Sequence, residues 1–325
     1  MKPLPVSPLL PRGAFRCVSL LLVLTVVGGV GCGPEALWPE GAPELGAQEQ
    51  ALEDFQILHL SDNGLSVNGL SVNGLSVNGL SVNGLSLSAL SALSFRLWFD
   101  TKPYAHDELM RYVIYCAVPQ GESRSYFSLT TLRTYTWVGG LGLAPNWAYG
   151  STATLEEQQV VSACLAAHTN PYQQHVPISV LGLKGDGTPM PIAPSELTDY
   201  ETTEACFFGN LFAGGNLYAG NDRAALAPEE STSRSCALSS TASGVNPECP
   251  PVLRVGACEA LSCTMDADSL YYTQCTYGGV TYRPITTRIR AVDLNVCGDG
   301  ICQKTESCGT GTTANSCLAD CGACL

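Results

Sequence analysis

Charged side chains are scarce in this sequence, and basic side chains are the scarcest of them. Only 14% of the residues are charged, compared with roughly 25% in ordinary globular domains. The chain has 16 Lys and Arg against 29 Asp and Glu, which gives a net charge of −13. Because nucleic-acid binding needs a basic face to hold phosphates, nucleic acid is excluded as an expected partner.

The common catalytic signatures are also missing. The sequence contains no HExxH, GxSxG, SxxK or CxxCH motif and no phosphate-binding glycine loop, which excludes the most familiar zinc, serine, haem and nucleotide chemistries. Histidine occurs only at His59, His106, His168 and His175. We therefore expect no cofactor, assign no catalytic residue and favour a non-enzymatic protein.

The N-terminus carries an export signal. Basic Lys2, Arg12 and Arg16 precede an apolar run at 18–30, which is shorter than the roughly 20 residues of a membrane span. The small residues that end at Cys32 resemble a bacterial lipobox. The resemblance implies a lipoprotein signal peptide at 1–32, acyl chains such as palmitate on Cys32, and a membrane anchor at the cell envelope, outer membrane or cell surface. Ordinary secretion with a free Cys32 is the alternative.

Cysteine usage predicts an oxidising compartment. The chain has 16 cysteines without zinc-finger spacing, which is typical of disulfide-bonded exported proteins. An even number follows Cys32, so all of them can pair while Cys32 carries the lipid. The fourteen predicted disulfide cysteines are Cys116, Cys164, Cys206, Cys236, Cys249, Cys258, Cys263, Cys275, Cys297, Cys302, Cys308, Cys317, Cys321 and Cys324.

A linker and a repeat follow the signal. Residues 33–57 are rich in proline and acidic residues without an apolar period, which is typical of a disordered spacer. At 58–93, NGLSV recurs and places a leucine at every fifth position. The repeat resembles the pentapeptide-repeat family, which implies a four-sided β-helix with inward leucines. Three alternatives stay open: a short coil that docks on the next domain, a flexible spacer, or a partner-binding strip.

The main domain, at 94–293, has the pattern of an α+β fold. Residues 107–116 read as a helix with Asp107 as N-cap, and 154–168 as a second helix with a capping box. Cys116 and Cys164 lie on the two apolar stripes, which predicts a disulfide that joins the helices. Strands are expected at 126–138 and 176–183, and a β-hairpin at 270–277 and 280–289 around Gly-Gly.

Several stretches of this domain resemble a group of secreted myxobacterial proteins that carry NGL repeats. The stretches are YVIYCAVPQGE, GLGLAPNWA, VVSACLAAHTN, VPISVLG and EACFFGNLF, and the similarity covers about 105 to 290. The resemblance implies a surface location and disulfides, and it implies no activity.

Two candidate sites in the domain have ordinary structural alternatives. Cys164, His168 and Asn170 have the residue types of a nucleophilic site, but a disulfide at Cys164 would preclude it and His168 would then stabilise the helix C-terminus. Trp98, Trp137 and Trp147 are candidates for a sugar groove; the alternative is a place in the core.

The last 32 residues, 294–325, form a cysteine-rich module with six cysteines. So short a segment needs cross-links instead of a core, and its CGDGIC frame resembles short modules appended to secreted bacterial proteins. Six cysteines allow 15 pairings. Asp299, Glu306 and Asp320 are candidates for calcium ligands, with turn formation and capping as the alternative.

These observations favour a lipid-anchored, non-catalytic surface protein with a binding or structural role. Its partner, protein or glycan, is not specified by the sequence. An extracellular hydrolase without a recognised motif and a repeat-mediated adhesin are the alternative functions.

Overall fold

The computed structural model describes residues 60–63, 65–66, 84–172, 175–221, 232, 234–238, 249–303, 305–309 and 316–324. The predicted signal peptide, the acidic linker and most of the five-residue repeat lie outside these residues. The described α-helices are α1 (Leu87–Leu90), α2 (Leu93–Phe99), α3 (Pro103–Ala117), α4 (Pro145–Ala148), α5 (Leu155–His168), α6 (Glu196–Asp199) and α7 (Leu318–Cys321).

The two long helices begin at residues that favour a helix N-terminus. Helix α5 follows N-cap Thr154, and the reciprocal capping box with Glu157 is present as predicted. Helix α3 begins four residues before the predicted start at Asp107, because Pro103 occupies its first turn. Proline is favoured there, since its fixed φ suits the helix and its missing N–H would have no intrahelical partner. The prediction that Asp107 is the N-cap is therefore wrong.

The described strands form three sheets and confirm the α+β class. The strands are β1 (Leu60–Asn63), β2 (Ser123–Ser128), β3 (Arg133–Val138), β4 (Val176–Gly182), β5 (Thr202–Gly209), β6 (Leu217–Asn221), β7 (Val252–Ala257), β8 (Ser262–Met265), β9 (Tyr272–Tyr277), β10 (Val280–Tyr282) and β11 (Ile285–Ile289). The largest sheet has the order β1-β4-β11-β5-β6-β7, a second has the order β10-β9-β8, and β2 pairs with β3. All pairs are antiparallel except β6 with β7.

The predicted C-terminal hairpin is only partly correct. Strands β9 and β10 form it around Gly278 and Gly279, whose positive φ values of 60° and 80° suit a tight hairpin turn. The second arm does not continue as one strand. It stops before Pro284, which has no N–H for a ladder, and the chain then enters the large sheet as β11, between β4 and β5.

Helix α5 packs across the large sheet and lies at the centre of the core. Eleven of its 14 residues are buried, whereas the sequence predicted one apolar stripe. The difference arises because α5 has a neighbour on more than one side: it contacts β5, β6 and β11 of the sheet and also α3. A helix enclosed in this way is buried nearly all round.

Seven disulfides brace the fold. The predicted link between the helices is present, with the Cα atoms of Cys116 and Cys164 6.1 Å apart. The other pairs are Cys206–Cys258, Cys236–Cys249, Cys263–Cys275, Cys297–Cys317, Cys302–Cys321 and Cys308–Cys324. In the C-terminal module, the first cysteine thus pairs with the fourth, the second with the fifth and the third with the sixth.

Within the described residues, no helix has both the length and the apolar character needed to cross a membrane.

Candidate functional site

The predicted nucleophilic group lies at the buried end of α5. His168 is fully buried, and its Nδ1 lies 2.7 Å from the backbone carbonyl of Cys164, to which it donates. Its ring contacts the rings of Tyr112 and Tyr115. The sulfur of Cys164 is in the disulfide, so it cannot act as a thiolate.

Burial also decides the charge of His168. Desolvation lowers the pKa of His168 to about 4, so the imidazole is neutral at pH 7. The prediction that a charged His168 stabilises the helix C-terminus is therefore wrong, since that effect needs a cation. Burial disfavours the charged form of an imidazole, because the charge loses its hydration.

Among the described residues, neither His106 nor His175 belongs to a group of three or more His, Cys, Asp or Glu side chains whose ligand atoms lie within 4.8 Å of one another. His106 is buried, its Nδ1 donates to the carbonyl of Phe99 at 3.1 Å, and its ring stacks on Trp98 at 4.0 Å. Burial lowers the pKa of His106. His175 is exposed just before β4, and His59 lies outside the described residues.

The three candidate tryptophans, Trp98, Trp137 and Trp147, lie in the core or pack against it. Trp137 and Trp147 are buried, and Trp98 is half-buried against the same core. The indole N–H of Trp137 donates to Asp107 at 2.7 Å, which satisfies its only polar atom. The sugar-groove hypothesis is therefore wrong for Trp137 and Trp147, because their faces are covered by the core.

The acidic residues of the C-terminal module organise the loop at 298–303. Asp320 accepts from the N–H groups of Gly298 and Gly300 at 2.6 and 3.0 Å, and Asp299 accepts from that of Ile301 at 2.8 Å. The Oε2 of Glu306 accepts from the N–H of Gln303 at 3.1 Å. These contacts are those of capping and turn-forming acids.

Among the described residues of 294–325, three buried side-chain oxygens have no hydrogen-bond partner: Asn295 Oδ1, Gln303 Oε1 and Glu306 Oε1. Burial raises the pKa of Glu306. Among the described residues, the groups of three or more potential ligand atoms within 4.8 Å all include disulfide cysteines. The three predicted carboxylates do not form such a group, so calcium at 294–325 stays a hypothesis.

A buried ion pair was missed by the sequence analysis. Glu204 on β5 and Arg234 are both fully buried and bonded to each other. Glu204 also accepts from Thr287 at 2.8 Å, and Arg234 donates to the carbonyl of Ala167 at 2.9 Å. Arg234 lies in a serine- and threonine-rich stretch without periodicity, so no sequence signal identified it. The pair is a structural link between β5, β11 and the end of α5.

Two described parts of the repeat dock on the main domain. Leu65 and Leu85 are both fully buried in the core. The N–H of Leu65 donates to the carbonyl of His168 at 3.1 Å, and that of Leu85 donates to the carbonyl of Trp147 at 2.9 Å. The described residues therefore favour docking over a free spacer, and the predicted boundary at residue 94 does not separate these leucines from the core.

An open cavity of about 250 Å³ lies beside α2. Its lining is Leu93, Arg96, Leu97, Asp100, Thr101 and Thr130. The side chains of Leu93 and Leu97 are largely exposed there. The lining contains neither histidine nor cysteine, so it supplies neither an imidazole base nor a thiol nucleophile.

Scans against protein-family models, curated proteins and solved structures returned no match for the chain.

Proposed function

We propose that this chain is an exported surface protein, attached to the cell envelope through a lipid on Cys32, with a non-catalytic binding or structural role. The observation that carries the proposal is the cysteine pairing. The fourteen cysteines from Cys116 onwards form seven disulfides, which is typical of proteins outside the reducing cytosol.

The same pairing supports the lipid anchor. With all later cysteines engaged, Cys32 has no cysteine left to pair with except Cys17 of the signal peptide. A cysteine that ends a signal sequence and needs no disulfide partner can carry acyl chains. One chain binds a membrane marginally, whereas several anchor a protein stably.

The non-catalytic role is supported by the state of the candidate nucleophile. Cys164 is oxidised, and the adjacent His168 is neutral and bonded to a backbone carbonyl. Neither side chain is arranged for proton transfer to a substrate. A binding or structural role requires no such arrangement.

The test is fractionation of bacteria that express the full precursor with Cys32→Ser, and with Cys17→Ser as the matched control. The wild-type chain and the control should incorporate labelled palmitate and sediment with membranes, whereas Cys32→Ser should do neither. Membrane retention of Cys32→Ser would refute the anchor. Thiol titration of the denatured, unreduced chain should find no free thiol among the fourteen later cysteines.

A further inference from the structure

The two docked leucines are held in closely similar ways. Leu65 is held by two backbone hydrogen bonds, since its carbonyl also accepts from the N–H of Asn170 at 3.0 Å. The carbonyl of Leu85 also accepts a hydrogen bond, in this case from the side-chain Nε of Arg124 at 2.9 Å. The two leucines are 20 residues apart, which is four periods of the repeat. Both docked leucines therefore occupy the same position of the repeat unit.

The serine after each leucine is also engaged. The N–H and hydroxyl of Ser66 donate to the two carboxylate oxygens of Glu108, at 2.7 and 2.9 Å. Ser86 instead caps α1, because its Oγ accepts from the N–H of Ala89 at 3.3 Å. Upstream of Leu65, β1 adds an edge strand to β4, from Leu60 opposite Ser179 to Asn63 opposite Val176.

We call the surface that holds 60–66 the repeat groove: the edge of β4 that β1 covers, the backbone at 168–170 and Glu108. Its described contacts use strand backbone, one leucine and one serine. A groove of this kind recognises an extended peptide by adding it to a sheet edge, with a side-chain pocket for specificity.

The chain contains five overlapping copies of the segment LSxNGLS. They begin at Leu60, Leu65, Leu70, Leu75 and Leu80, and they differ only at the third residue, which is Asp62 in the first copy and valine in the others. In the docked copy, this third position lies opposite Pro177, which has no N–H. Every copy therefore has the backbone, leucine and serine that the repeat groove contacts.

We propose that the repeat groove is a recognition site for any LSxNGLS segment, so that it accepts the later copies of its own chain and the repeats of a second copy of the chain. A shift by one period places Leu70 where Leu65 lies. It reduces the stretch before Gly84 from 17 residues (67–83) to 12 (72–83). Register along a strand is weakly specified in glycine-rich strands, and here a five-residue step also restores the same side chains.

The docking site of Leu85 cannot accept another copy of the repeat in this way. Ser86 leads directly into α1, whose Ala89 and Leu90 are buried, and no earlier copy is followed by that sequence. The two sites can therefore be compared directly: the repeat groove can accept several copies of the repeat, whereas the other site accepts only Leu85.

The first experiment compares Leu65→Asn with Leu85→Asn in the full exported chain. Both leucines are fully buried, so without exchange both variants should lower the melting temperature by roughly 10 °C. With exchange, Leu70 fills the groove, and Leu65→Asn should lower the melting temperature by about 3 °C or less. Equal losses in the two variants would overturn the proposal.

The second experiment tests binding by a second copy. A variant with Leu65, Leu70, Leu75 and Leu80 all replaced by asparagine has no leucine for its own groove and none to donate, because Leu85 is fixed directly before α1. Mixed with wild-type chain, it should form a 1:1 complex by analytical ultracentrifugation, while the variant alone stays monomeric. It should also bind a labelled LSVNGLS peptide but not LSVNGAS.

Failure of the folded variant to distinguish the two peptides, or to bind the wild-type chain, would overturn the proposal. If the variant does not fold, as judged by circular dichroism, the comparison of Leu65→Asn with Leu85→Asn decides alone. Glu108→Ala, added to the folded variant, should weaken peptide binding at least tenfold, since it removes two hydrogen bonds to a charged group.

Discussion

Glu157 joins the beginnings of two helices, and its removal should be among the most costly single changes in the chain. The side chain is fully buried. Its Oε2 accepts from the N–H of Thr154 at 3.0 Å, within the capping box of α5. Its Oε1 accepts from the N–H groups of Asn146 and Trp147, at 2.7 and 3.4 Å, in the first turn of α4. One carboxylate therefore satisfies N–H groups that neither helix can satisfy internally.

The expected magnitude follows from these bonds. A hydrogen bond to a charged group contributes about 1.5–3 kcal/mol, and the 3.4 Å contact is the weakest of the three. Glu157→Ala should therefore lower the free energy of unfolding by about 4 kcal/mol. Glu157→Gln keeps one acceptor and should cost about half as much. Thr154→Ala removes only the hydroxyl of the N-cap and should cost about 1 kcal/mol.

The assay is guanidinium unfolding with the disulfides intact, followed by circular dichroism. The matched control is Glu156→Ala, because Glu156 lies in the same helical turn but is exposed; its effect should stay within about 0.5 kcal/mol. The reasoning is refuted if Glu157→Ala costs no more than Thr154→Ala, since that would mean that the bonds to α4 contribute nothing.

Three further predictions concern the same core. Burial lowers the pKa of His168 to about 4 from an ordinary 6.5, so between these pH values the unfolded chain binds a proton that the folded chain does not. The free energy of unfolding should therefore fall by up to about 3 kcal/mol as the pH drops across this window. Urea unfolding at a series of pH values measures this fall, and His168→Gln should remove most of it. Replacing Cys116 and Cys164 together by alanine should cost about 4 kcal/mol for a cysteine separation of 48 residues, and an unchanged unfolding midpoint would contradict this. Trp137→Phe should cost about 1 kcal/mol through loss of the bond to Asp107, measured in the same way, and Asp107→Asn should cost less because the amide oxygen still accepts.

The features that could be predicted from the sequence are encoded within a few residues. The capping box of α5 spans four residues, and strand β4 follows from an apolar run. The Cys116–Cys164 link followed from two local patterns, each of which placed a cysteine on a buried face. In these cases the local preference and the final environment agree.

The features that were missed depend on contacts distant in the sequence. Glu157 was predicted as a cap of its own helix, but its bonds to the first turn of α4 depend on how the two helices pack. The ion pair of Glu204 with Arg234 joins residues 30 apart, and no period connects them. The docking of Leu65 was left open beside a free spacer, because a five-residue period describes the leucines but not the groove that accepts one of them.

The disulfides lie mainly where apolar burial is least able to hold the chain. The cluster beneath the three-stranded sheet has five buried members, and three of them are the disulfide cysteines Cys206, Cys258 and Cys275. The C-terminal module has three disulfides between Cys297 and Cys324, and its helix α7 has no buried residue. Cys116–Cys164 and Cys236–Cys249, by contrast, lie in the large core. Since small segments cannot bury enough apolar surface to fold alone, covalent links there replace burial, and this bracing persists only in an oxidising compartment.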